Sequence, residues 1–239
     1  MLCLCRMEEG KCFCCEDCAA DSRRLYLWGE EKKRGSDMLA EGFVFVTDLI
    51  PSAREEARYA GSHNFTGRPV RGYRVPRVAL TLEAAQALRR AAEGFAGQGL
   101  FLLMYDGYRP QRAVDDFAAW AADPDDTAGK EEFYPLLDKG ELFARGYIAA
   151  HSGHTRGSTI DLTLMRADGV PLDMGGEFDW FSPVSAHDYP HLTQAQRENR
   201  LLLKEGMIAA GFVPYAQEWW HYTLRDEPYP QTYFDFEIE

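Results

Sequence analysis

His154 and Asp161 lie seven positions apart in the run His151-Ser152-Gly153-His154-Thr155-Arg156-Gly157-Ser158-Thr159-Ile160-Asp161. About sixty residues later comes Glu218-Trp219-Trp220-His221. Two histidines and one aspartate are a ligand set for a catalytic zinc, because three protein ligands leave the fourth tetrahedral position open for water. Glu218, three residues before His221, is placed to take a proton from such a water. Each residue alone has a duller reading. A single histidine more often serves as a hydrogen-bonded structural group, and a strand aspartate is often salt-bridged. The joint pattern carries the expectation of one zinc held by His154, Asp161 and His221, with Glu218 as the base.

The remaining histidines are weaker candidates. His63, His187 and His191 fall in loop-like segments and are expected to be solvated. His151 precedes the glycine-flanked turn and has no partner at ligand spacing, so it is expected to stay off the metal. Trp219 and Trp220 read as core packing ahead of a substrate platform.

The elements around these residues must bring them together. Ser158 to Leu164 alternates as a strand, placing Thr159, Asp161 and Thr163 on one face and Ile160, Leu162 and Leu164 on the other. Gly153 and Gly157 flank His154 and let the chain fold back, so that the imidazole can approach Asp161. Phe212 onward is strand-like, with Trp219, Trp220, Tyr222 and Thr223 favouring sheet. In a regular strand Glu218 and His221 would face opposite ways. Either a bulge or a strand beginning after Glu218 must re-aim one of them, and a bulge is the expectation.

Elsewhere, Gly42 to Val46 reads as a strand, and Tyr59 to Tyr73 as a loop punctuated by Gly and Pro. Thr81 is an N-cap for a helix with Leu82, Ala85, Leu88, Ala92 and Phe95 on one stripe. Leu100 to Tyr105 is a buried strand that stops at the turn Asp106-Gly107-Tyr108-Arg109-Pro110, and Gln111 to Ala122 is helical. Thr193 and Gln196 form a capping box for a helix that ends at Gly211. Strands and helices mix without a regular βαβ rhythm. The expected class is therefore α+β, a single domain with an antiparallel sheet flanked by helices.

The 239 residues suffice for one domain with a sizeable core, and 46% hydrophobic with 27% charged residues is the composition of a globular protein. A formal charge of -12 argues against nucleic acid and against anionic membranes as partners. No apolar run reaches the ~20 residues of a membrane span, and no export signal is visible, so the expected location is the cytoplasm. All six cysteines, Cys3, Cys5, Cys12, Cys14, Cys15 and Cys18, fall in the first eighteen residues. The expected organisation is a cysteine-rich extension over 1–37, poorly ordered or a gene-start artefact, followed by a catalytic domain over 38–239.

The chain resembles the VanX-type D-alanyl-D-alanine dipeptidases, zinc metallopeptidases related to D,D-carboxypeptidases and to the hedgehog domain. The resemblance runs from about Glu41 to Glu239. It rests on Asn64-Phe65-Thr66-Gly67, Asp106-Gly107-Tyr108-Arg109-Pro110, Ser152-Gly153-His154-Thr155-Arg156-Gly157-Ser158, Asp161-Leu162-Thr163-Leu164, Met174-Gly175, Phe178-Asp179, Glu218-Trp219-Trp220-His221-Tyr222 and Arg225-Asp226-Glu227-Pro228-Tyr229-Pro230. It implies a hedgehog/D,D-peptidase-like fold, with metal ligands at His154, Asp161 and His221, the base at Glu218 and an essential arginine at Arg109. It also implies contacts to the substrate ammonium at Tyr59 and Asp179, with Ser152 as a further substrate-binding residue; Gly153 stands where some members carry serine. The implied reaction is hydrolysis of the free dipeptide D-alanyl-D-alanine, with one Zn²⁺ per chain. A D,D-carboxypeptidase acting on wall peptides and a non-catalytic zinc-stabilised binding module are the alternatives. Retention of both Glu218 and Arg109 argues against the latter, since a structural zinc needs neither.

Few large apolar side chains lie before Met38 outside Leu25-Tyr26-Leu27-Trp28, leaving little surface to bury against the entropy of ordering. A chain beginning at Met38 is expected to keep full dipeptidase activity, one zinc and an unchanged Tm. A fall in Tm of several degrees, or loss of a second metal, would show that the cysteines form a folded module.

Overall fold

A computed structural model describes residues 39–239 except 143, 145, 146 and 149, together with Met7, Glu8, Lys11 and Cys12. The chain divides into two compact units, Met1–Ser36 and Asp37–Glu239. In the first, β1 (Met7–Glu8) pairs antiparallel with β2 (Lys11–Cys12). The other five cysteines, and the question of how the extension is ordered, lie outside the described residues.

The second unit is α+β. Its elements are β3 (Phe43–Phe45), α1 (Val46–Leu49), β4 (Arg54–Glu55), β5 (Ala79–Thr81), α2 (Leu82–Ala96), β6 (Leu100–Asp106), α3 (Gln111–Ala122), α4 (Lys130–Phe133), α5 (Lys139–Leu142), β7 (Thr159–Arg166), α6 (Gln194–Ala209), β8 (Phe212–Pro214) and β9 (His221–Leu224). Five strands form one sheet in the order β4-β6-β7-β9-β8, and β3 pairs antiparallel with β5 in a second. The large sheet is antiparallel except at its edge, where β4 runs parallel to β6. Among the described residues no helix is long and apolar enough to cross a membrane.

The helices form where sequence chemistry places their ends. The Thr81 side chain accepts from Ala84 N–H at the start of α2, and Ala84, Ala85, Leu88, Ala91, Ala92 and Phe95 are buried along it. That stripe spans adjacent i, i+3 and i+4 positions and faces the core. Leu82, expected on it, lies in the first turn and stays exposed. Thr193 and Gln196 close a reciprocal capping box on α6. On α3, Val114 and Phe117 reach the wall of a cavity that also borders His154, Asp161 and His221.

Two expectations need correction. The chain leaves β8 at Pro214 and re-enters the sheet only at His221, so residues 215–220 form a turn and no bulge lies at Glu218. Within that turn His221 N–H donates to the Glu218 carbonyl at 3.3 Å and Tyr215 N–H to the His221 carbonyl at 3.0 Å. A turn, unlike a strand, can aim residues three apart to one side. The sheet's irregularity lies one strand over. Met104 pairs with Leu162 but Asp106 pairs with Asp161, so Tyr105 is the extra residue of a bulge in β6.

The second correction concerns His187, which is buried. Its ring meets Tyr222 edge-on at 5.9 Å, and its backbone N–H donates to the Ala216 carbonyl. The segment reads as a loop, yet it packs beneath the 215–220 turn. Burial, reinforced by Lys204 and Arg200, pulls the His187 imidazole down to about 4. A histidine that resists protonation when folded but not when unfolded leaves stability unaffected above its unfolded pKa and lowers it as pH falls from about 6.5 to 4. His187→Gln should flatten the dependence of the urea midpoint on pH in that window, by about one proton per chain. Parallel curves for the two proteins would show that His187 does not titrate there.

Candidate active site

The β6 bulge and the β7–β9 register decide the site. Asp106, Asp161 and His221 stand side by side on β6, β7 and β9, because Asp161 pairs with Asp106 on one edge and with His221 on the other. His154 comes from a single 3₁₀ turn, Gly153–Arg156, whose N-cap Ser152 accepts the His154 backbone N–H on its side chain. Gly157 ends that turn at φ 79°, where a Cβ would collide with the Phe43 ring, so only glycine serves there.

The His154 Nδ1 lies 2.7 Å from the Gly107 carbonyl. A carbonyl can only accept, so Nδ1 carries the proton and Nε2 presents its lone pair to the cavity. Nε2 lies 3.2 Å from Asp161 Oδ2 and 3.3 Å from His221 Nδ1. His221 Nδ1 is 3.1 Å from Asp161 Oδ1 and 3.4 Å from Glu218 Oε2. One ligand atom from each of His154, Asp161 and His221 lies within 4.8 Å of the others. Burial works against ionised Asp161, but the two imidazoles outweigh it and hold its carboxyl well below the usual range. Burial also opposes a charged His221, yet Asp161 and Glu218 push it up to about 9. Asp161 Oδ1 is buried with no well-directed hydrogen bond. A buried carboxylate oxygen in that state, ringed by two imidazole nitrogens, fits a divalent cation.

Arg109 follows on the same loop. Its Nε and Nη2 bond to Asp106 Oδ2 at 2.9 and 2.8 Å, and Nη2 stands 3.7 Å from Asp161. The guanidinium also lies 4.9 Å from the Tyr59 ring centre and 5.2 Å from that of Phe117. Tyr73 donates its hydroxyl to the other Asp106 oxygen at 2.7 Å. Asp106 therefore holds Arg109 by one edge of its fork. Neither Asp106 nor Tyr73 is assigned a role by sequence reading. Asp106, three residues before Arg109 in a turn, had the spacing to suggest one.

A cavity of about 270 Å³ joins these groups. Its walls include Tyr59, Arg109, Ser152, His154, Asp161, Asp179, Glu218 and His221, so all the candidate site residues border one space. Tyr59 donates its hydroxyl to Asp179 Oδ2 at 2.7 Å, and burial pushes the Asp179 carboxyl well above the usual range. Asp179 has φ 59°, the left-handed region, and among the described residues no other non-glycine does. Phe65, Phe117 and Phe181 add an apolar side. His151 also borders the cavity, its ring tilted against Tyr233 at a centroid separation of 4.8 Å, but stands outside the converging group. Trp219 and Trp220 are buried, and neither borders this cavity.

A family model described as D-ala-D-ala dipeptidase matches residues 39–239. The chain is 46% identical over 199 residues to a D-alanyl-D-alanine dipeptidase of Enterococcus faecium, covering 83% of this chain and 98% of that one. It is 48% identical over 197 residues to a D-alanyl-D-alanine dipeptidase of Streptomyces coelicolor, covering 82% and 98%. The Escherichia coli dipeptidase of the same name is 35% identical over 181 residues, covering 76% and 83%. A solved VanY D,D-pentapeptidase in complex with Zn(II) has a TM-score of 0.36 at 13% identity, covering 61% of this chain and 72% of that one.

The geometry makes a prediction about metal. Purified protein should carry about one divalent cation per chain, and His221→Ala should lose most of it, while His151→Ala keeps it. Metal quantification on both variants decides this, and full occupancy in His221→Ala would remove His221 from the ligand set.

Proposed function

The chain belongs to the D-ala-D-ala dipeptidase family, and on that premise we propose that it hydrolyses free D-alanyl-D-alanine at a single zinc held by His154, Asp161 and His221. The observation that carries the reading is convergence. Three ligand atoms, a carboxylate that can act as base, a guanidinium and a buried carboxyl for an ammonium all face one small cavity.

Bound at the three ligands, zinc would supply a Lewis acid that polarises the scissile carbonyl and lowers the pKa of a water. The protein's own groups do the rest. Glu218, at the turn and beside His221, accepts the proton of the attacking water and returns it to the leaving amine. Arg109 is anchored by Asp106 on one edge, which leaves its other N–H groups for the oxygen where charge develops; a preorganised donor there contributes about 3–4 kcal/mol. Tyr59 and Asp179 receive the substrate ammonium. Burial opposes a charged Asp179, and an ammonium arriving beside it answers that cost. Ser152 uses its oxygen lone pair on His154 N–H, so its own O–H is available to the substrate carboxylate.

Length selection follows from the same chemistry. A longer peptide brings an amide where the dipeptide brings an ammonium, leaving Asp179 without its charged partner. D-Ala-D-Ala should therefore be cleaved in preference to a longer wall peptide, and family membership adds the expectation of preference over L-Ala-L-Ala, in a panel that also includes D-Ala-D-lactate. Faster cleavage of the longer peptide would favour a D,D-carboxypeptidase. Glu218→Gln should retain its zinc and lose turnover by about 10² or more. Joint loss of zinc and turnover would make Glu218 a ligand.

A further inference from the structure

Arg200, on α6, is buried at 2% exposure and takes no part in the chemistry above. Its Nε donates to the Met174 carbonyl at 2.6 Å, Nη1 to Ala186 at 2.6 Å and Nη2 to Val184 at 2.8 Å. Among the described residues no carboxylate forms an ion pair with it. The three carbonyls bracket Asp179, which lies five residues after Met174 and five before Val184. Two further α6 side chains hold the start of the same segment, as Gln196 and Asn199 both donate to Asp173 at 2.9 Å.

A buried charge without a counter-charge is costly, and apolar replacements of buried ions are often neutral or stabilising. An arginine here is explained by its fork, since its donors are spread over three nitrogens in a rigid plane and reach three separated carbonyls at once, whereas a lysine ammonium offers its three donors from a single point and methionine offers none. The segment needs such a tie. Asp179 sits at φ 59°, a conformation that persists in a non-glycine residue only where surroundings impose it. The same segment is knit to the turn that carries Glu218, because Trp219 N–H donates to the Ser185 carbonyl at 2.8 Å.

We propose that Arg200 is a positioning residue for substrate recognition, holding the 174–186 segment so that the Asp179 carboxyl meets the substrate ammonium. The inference rests on the reading of Asp179 given above. Its burial pulls the guanidinium down to about 10, so the cation persists at neutral pH and the tie with it.

The test compares Arg200→Lys, Arg200→Met, Asp179→Asn and the Arg200→Met/Asp179→Asn pair in the full chain, reading zinc content, Tm, kcat and KM for D-Ala-D-Ala. Both Arg200 variants should keep one zinc, raise KM by about tenfold or more and change kcat by less than about threefold, with lysine the milder. In the Asp179→Asn background the Arg200→Met change should raise KM by less than about twofold further, because its target is already gone. A residue acting on stability alone would lower Tm and leave KM in place. KM unchanged in Arg200→Met and Arg200→Lys, independent multiplication of the two effects, or failure of both Arg200 variants to fold overturns the proposal. KM unchanged in Asp179→Asn instead overturns the reading of Asp179, and with it the target assigned to Arg200.

Discussion

The register of three neighbouring strands is the constraint on which the site depends. Asp161 on β7 pairs with His221 on β9 and, across the Tyr105 bulge, with Asp106 on β6. Strand side chains alternate between faces, so a slip of one residue in either pairing would turn one of the three away. The alternation on β7 and β9 resists that slip: Ile160, Leu162, Leu164, Tyr222 and Leu224 are buried and would have to exchange places with Thr159, Asp161, Thr163, His221 and Thr223. Core packing thus fixes ligand geometry without any bond to a metal.

A second consequence is electrostatic. The register sets Asp106 beside Asp161, and Asp161, Glu218 and Asp179 all border one space. Carboxylates this close and this buried are unfavourable unless cations or hydrogen-bond donors answer them. Asp106 is answered by Arg109 and Tyr73, Asp179 by Tyr59, and Asp161 by two imidazoles, with one oxygen still poorly served. The cavity is built for incoming positive charge, and both the zinc and the substrate ammonium of the proposed reaction bring it.

The His154 turn is held from the other side by the C-terminal tail. Arg156 pairs with Glu227 through two bonds of 2.9 and 2.7 Å, and Phe234 N–H donates to the Thr155 carbonyl at 3.0 Å. Phe43 joins Tyr108, Phe234 and Phe236 at ring separations of 4.9 to 5.2 Å. A turn of four residues carries little stability of its own, so these distant contacts make it rigid. Planar bidentate pairing adds direction as well as energy. Like Arg200 on the opposite flank, the tail places a functional group that it does not touch in substrate.

Much of this was legible in order along the chain. Period and capping chemistry located α2, α3 and α6 and the strands β6 and β7, since those signals are local. The spacing of His154, Asp161, Glu218 and His221 pointed to metal hydrolysis because few other chemistries use those side chains together. Position in space was decided by tertiary structure. The sequence pattern of 212–223 favours strand throughout, but Trp219 and Trp220 are needed in the core, so the chain turns between Pro214 and His221 and brings Glu218 beside His221. The bulge fell at Tyr105, where Asp106 must face Asp161, and loop-like His187 was buried under that turn. Tyr73 and Arg200 act only through partners far away in sequence, and Asp106, although close to Arg109 in sequence, is set beside Asp161 by strand register. Local residue types determine which groups the chain possesses, whereas register, burial and long-range hydrogen bonds decide which of them meet.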